Sequence, residues 1–237
     1  GNSKPRRSGP QFVLLAPAVE PVQTSSTRPM FRALVWAGGI MVVVAALITA
    51  WIVVPIVTSS PAGSSGQQLE VEGYPASVSA TGDDGRTRTL EAVFESGEER
   101  DFSALVAGDR LIVSGSGFDP SKGIYVAVCK VPDSVGGKPG PCLGGVPSTE
   151  EDGDSTAGAV EYAASNWVND DWAWRLFGAR SFDDRGAGSF TAYIEIPASA
   201  DENVDCTKVR CGLFTRNDHT ALEDRVQDLY LPVSFAE

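Results

Sequence analysis

The chain has one histidine, His219, and its four cysteines form neither a C-x-x-C-H nor a paired C-x-x-C pattern. Covalent haem attachment and a paired-cysteine zinc site are therefore not encoded. No G-x-S-x-G nucleophile setting occurs. EEDGD at Glu150–Asp154 lacks the spacing and closing glutamate of a calcium loop, so it reads as solvated. No lysine or arginine lies between Arg32 and Arg86. The whole chain carries a net charge of −12. Residues 59–237 hold 14 basic and 30 acidic residues, a net −16. Nucleic acid is excluded as a partner, because binding it rests on basic surface. The acidic excess reads as solubility. No cofactor and no metal are expected.

What the chain does have is ALVWAGGIMVVVAALITAWIVVPIV, residues Ala33–Val57, an uncharged apolar run. As a helix it would be roughly 37 Å long, more than the about 30 Å of a bilayer core. A cleaved signal peptide has an apolar core of only about 7–15 residues. A signal-anchor is therefore expected, a single pass through the cell membrane. The arm before it holds Lys4, Arg6, Arg7, Arg28 and Arg32 against one acid, Glu20. Basic residues are retained inside. This predicts a cytoplasmic N-terminus and an extracytoplasmic C-terminal domain. Trp36 and Trp51 lie toward opposite ends of the run, where indoles favour the interface. Gly38 with Gly39, and Ala46 with Ala50, give small-residue surfaces that permit close helix contact in lipid.

Cys129, Cys142, Cys206 and Cys211 all follow the span, and an even count there predicts two disulfides. A sequential pairing would close two small loops. Residues 1–32 read as a Pro-rich basic arm, 33–57 as the membrane helix and 58–68 as a flexible Ser/Gly linker. Residues 69–237 read as one domain, all-β outside the membrane. LEVE at Leu69–Glu72 alternates, as does part of Thr89–Phe94. Stronger strand signals follow at Arg110–Gly115, Ile124–Cys129, Ser189–Ile196, Cys211–Arg216 and Asp228–Phe235. Short β-branched and aromatic runs between Gly, Pro and Asp turns predict an antiparallel immunoglobulin-like sandwich. A Trp-rich insert at about 147–188 interrupts them. In it Asp171 is placed to cap a short helix ended by Gly178.

VSGSGFDPSKGIYVAVC, GSFTAYIEIP, VDCTKVRCGLFTRNDHTA and DLYLPVSF, within Asp109–Val146 and Gly188–Phe235, resemble the neocarzinostatin-type apoproteins. These are small secreted actinobacterial immunoglobulin-like sandwiches with two short-loop disulfides. The resemblance implies that fold and the pairing Cys129–Cys142 and Cys206–Cys211. In that family a cleft holds an enediyne chromophore. Here the chain is anchored, carries about 40 extra residues before the family-like part, and has the Trp-rich insert. Chromophore binding is not carried over.

Two further features bear on function. His219 sits beside Asp218 and near Asp224, which would allow a base-orienting pair. The alternative is that Arg216, Asp218, Asp224 and Arg225 shape an inter-strand loop through hydrogen bonds, and this is the expected role. Trp167, Trp172 and Trp174 serve either a partner surface or packing within the domain. The expectation is a non-enzymatic accessory or scaffolding subunit that binds other membrane protein subunits. An actinobacterial cytochrome bc–oxidase respiratory supercomplex is one such assembly. The alternative is a module binding a hydrophobic small molecule in an open apolar cleft.

Overall fold

A computed structural model describes residues 28–58, 62–144 and 161–236. The arm before Arg28, with its Phe12–Leu15 patch, and the acidic stretch Glu150–Asp154 lie outside the described residues. The chain divides into two compact units, residues 1–49 and 50–237, each taken by itself. Helix α1 runs Arg28–Thr58, five residues earlier than the predicted start. Within it Ala33–Val54 is long and apolar enough to cross a membrane.

The larger unit is a sandwich of two four-stranded antiparallel sheets. Its strands are β1 (Ala62–Ser64), β2 (Ser77–Thr81), β3 (Thr87–Phe94), β4 (Arg110–Ser116), β5 (Ile124–Lys130), β6 (Ser165–Val168), β7 (Phe190–Glu195), β8 (Cys211–Asn217), β9 (Asp224–Arg225) and β10 (Tyr230–Val233). A short helix, α2, covers Trp172–Arg175. One sheet has the order β10-β8-β5-β6, the other β2-β3-β4-β7, and β1 lies parallel on β9.

Alternation sets which face is buried. In β3, Leu90, Ala92 and Phe94 point inward, and Leu111 and Val113 of β4 meet them. Ile124, Val126 and Val128 of β5 face them from the other sheet, with Leu213 and Leu231. Phe118, Phe190 and Phe182 fill the interior in edge-to-face contacts at 5.1 and 6.3 Å. Gly115 is required there, since a Cβ would lie 2.1 Å from the Phe190 ring. Both expected disulfides are present, Cys129–Cys142 and Cys206–Cys211.

Four assignments differ from the sequence reading. Residues 62–68 are not a free linker. They supply β1, a buried Ser65, and Gln67, whose amide pairs with both the N–H and C=O of Tyr230. Leu69–Glu72 forms no strand. Leu69 and Val71 instead lie on Ala127, Cys129, Phe214 and Tyr230, which is why β5 is buried on both faces. The first sheet strand is β2, whose small uncharged residues give little apolar signal. With β3 it makes residues 77–94 two of the four strands of one sheet rather than an extension before the domain. The Trp-rich insert is likewise partly sandwich, because β6 pairs with β5 along Ile124–Ala127.

Candidate functional site

Register brings three side chains into one row on the outer face of the β10-β8-β5-β6 sheet. Tyr125 sits opposite Trp167 on one side and Arg216 on the other. Cross-strand neighbours at this spacing interact directly. The Tyr125 and Trp167 ring centroids are 5.9 Å apart, and the Arg216 guanidinium lies 5.6 Å from the Tyr125 ring. The Tyr125 hydroxyl is 3.0 Å from His219 Nδ1. Burial, reinforced by the Asp218 charge, pushes the Tyr125 phenol up to about 12. The phenol therefore keeps its proton at neutral pH.

Beneath this row Asp218 is fully buried and acts as a hub. Its Oδ2 accepts from Trp167 Nε1 at 2.9 Å and Asn169 Nδ2 at 2.8 Å. Its Oδ1 accepts from the Thr220 N–H at 2.9 Å and the Thr220 hydroxyl at 2.6 Å, capping the 3-10 turn His219–Ala221. Its own N–H donates to the Gly123 carbonyl. A Cβ on Gly123 would sit 1.8 Å from Asp218 Oδ2, so the carboxylate fits only against a glycine.

This geometry decides the two readings of the histidine region. His219 faces a phenol, and the oxygens of Asp218 are taken up by Trp167, Asn169 and Thr220. Asp224 binds Lys122 and caps the Val226 N–H. Arg225 bonds Asp228 and the Leu222 carbonyl. Arg216 reaches the Pro139 carbonyl at 3.4 Å. The base-orienting His–Asp pair is not formed, and the loop-shaping hydrogen bonds are.

The three tryptophans separate. Trp167 serves the hub, and Trp174 packs edge-on to His219 at 4.6 Å. Trp172 is 73% exposed, beside Leu176 at 74% and Phe177 at 58%. The turn bearing them is stiffened at both ends. Asp171 caps it by accepting from the Ala173 N–H at 2.9 Å, as the sequence predicts, and Gly178 closes it with φ +93°. Leu176 and Phe177 were not singled out in the sequence as surface residues. The signal for them was the two Asp residues and the glycine that bound a single turn, too short to bury both its faces.

A second cluster lies at the other end of β5. Phe214 and Tyr230 stack at 4.7 Å beneath Leu69 and Val71. A cavity of about 30 Å³, lined in part by Gln67, Val135, Arg225 and Asp228, remains beside them. Room for about one water is what such a volume offers. Burial pushes the Asp228 carboxyl up to about 7, against the pull of Arg225. Between the sheets the core side chains of β3, β4, β5, β7 and β8 are buried against one another, and a groove of about 430 Å³ lined in part by Tyr74, Val131, Lys208, Arg210 and Tyr230 lies beside the Cys206–Cys211 loop. On α1, a Cβ at Gly38 or Gly39 would meet nothing within 4 Å, and Ala46 and Ala50 are exposed. Among the described residues no cluster of three or more His, Cys, Asp or Glu side chains is arranged to hold a metal.

No protein-family model and no curated protein matches the chain. Among solved structures it is similar to macromomycin, of the neocarzinostatin family, at 18% identity. The match covers 62% of this chain and 99% of that one, with a TM-score of 0.33.

Proposed function

We propose that the chain is a non-catalytic accessory subunit of a membrane assembly, tethered by α1 and presenting its sandwich on the extracytoplasmic side. The carrying observation is the apolar segment Ala33–Val54, none of which is buried. It is joined to a domain whose histidine and neighbouring acids are committed to hydrogen bonds and packing. The basic arm before the span supports the orientation, and two disulfides fit an oxidising compartment.

Glycine costs a helix about 1 kcal/mol relative to alanine. Two adjacent glycines in α1 are therefore expected to serve close approach of a partner helix. The filled interior favours this reading over a module for a hydrophobic small molecule, which requires an open apolar cleft.

The test is gentle detergent purification of tagged full-length protein, wild type and G38L/G39L. The open space around both glycines makes the substitution silent for this chain's own packing. The expected result is a stoichiometric set of membrane subunits with wild type and their loss with the variant. The co-purifying set names the assembly; the cytochrome bc–oxidase supercomplex is one candidate, which no motif in the chain encodes. A wild-type protein that purifies alone overturns the proposal and directs attention to ligand screening.

A further inference from the structure

We propose that the turn bearing Trp172, Leu176 and Phe177 seats in the headgroup region of the bilayer that α1 crosses and so fixes the orientation of the sandwich on the membrane. The inference goes beyond the accessory-subunit reading and rests only on its membrane-span component.

Four observations carry it. The three apolar side chains fall within six residues, and exposures of 58–74% mean that they stand out from the surface. Together they offer on the order of several hundred Å² of neighbouring apolar surface, the size of patch that marks an interaction site. The residue types are those that partition to the interface, with an indole at the rim and Leu and Phe beside it.

The local charges also suit a lipid surface. Arg175 is exposed on the same turn, available to phosphate. Asp171 is committed to the helix cap, and Asp170 binds the Phe182 N–H and Arg185.

The last observation concerns place. The chain enters the domain at β1, on β9. Asp224 of β9 binds Lys122, just before the first residue of β5. The turn reaches this same end of the sheet, where Trp174 packs on His219 between β8 and β9. In sequence only residues 59–61 separate α1 from β1, so this end of the sandwich is the one joined most closely along the chain to the anchoring segment.

The test uses the full-length chain in phosphatidylcholine nanodiscs. Its four native cysteines are bonded, so L176C accepts a single bimane label. V135C, in the exposed loop following the far end of β5, is the reference. Several-fold stronger quenching at 176 than at 135 by lipids spin-labelled near the headgroup is expected, with protection from aqueous iodide at 176. W172S/F177S should abolish that difference while leaving the protein in the disc. Equal iodide access at both positions overturns the proposal. Protection at 176 without lipid quenching also overturns it, and assigns the turn to a protein contact, which in the disc is a second copy of this chain. Release of the chain from membranes by alkaline carbonate overturns the span itself, and with it this proposal.

Discussion

Asp218 illustrates how neighbours in sequence mislead about partners in space. Adjacent to the sole histidine, it invites a catalytic reading. In the fold its four hydrogen bonds tie β6, the residues after it and the 3-10 turn to one point. His219 is held by Tyr125, 94 residues away in the chain. Asp218→Ala removes the acceptor and strands the buried Asn169 amide and the half-buried Trp167 indole. Such losses cost about 1–3 kcal/mol for each group left unpaired. We expect D218A to lower the unfolding free energy by about 2–4 kcal/mol in urea titrations of the detergent-solubilised chain. W172A, on an exposed side chain, should stay within about 0.5 kcal/mol. Equal effects from the two substitutions would remove the distinction drawn between structural and surface tryptophans.

At the scale of elements, legibility followed hydrophobic contrast. β3, β4 and β7 alternate cleanly between core and solvent, β5 is an apolar run up to Cys129, and β8 opens with Cys211 and the apolar pair Leu213 and Phe214, so local pattern was enough to expect them. β2, with Ser, Ala and Thr around one Val, and β1, with Ala, Gly and Ser, have no such contrast. What places them is pairing to distant backbone, which composition does not encode. The segment 62–68 therefore looked like a linker, although the Gln67 amide mimics a strand by bonding both backbone groups of Tyr230, at 2.7 Å each. The candidate site was legible in its parts, as a capped turn, a tryptophan cluster and an Asp-rich loop. Their grouping was not, because it depends on the register between β5, β6 and β8. Gln67→Ala should cost about 1–2 kcal/mol and release the segment locally. Hydrogen exchange at residues 64–71 is expected to quicken while the amides of β5 and β8 keep their protection. Uniform loss of protection across the sandwich would mean that this segment is integral to the fold rather than a strap laid on it.

For the whole molecule, charge and apolar surface act in opposite directions. Residues 59–237 carry a net −16, so an anionic bilayer repels the body that the exposed turn draws toward it. Arg175 contributes one positive charge at the contact, too few to reverse the sign of the domain. Raising salt from about 0.01 M to about 0.15 M shortens the screening length from roughly 30 Å to 8 Å. The repulsion is long-range and is largely removed by this change, whereas burial of Trp172, Leu176 and Phe177 is short-range and persists. In phosphatidylglycerol-rich nanodiscs, lipid quenching of a bimane at position 176 should therefore increase with salt, and in phosphatidylcholine it should stay flat. The opposite trend, quenching that weakens with salt in the anionic lipid alone, would show that attraction through Arg175 rather than apolar insertion holds the turn at the surface. Insertion predicts a contact insensitive to screening once made, and a body whose acidity keeps the rest of the sandwich clear of the lipid.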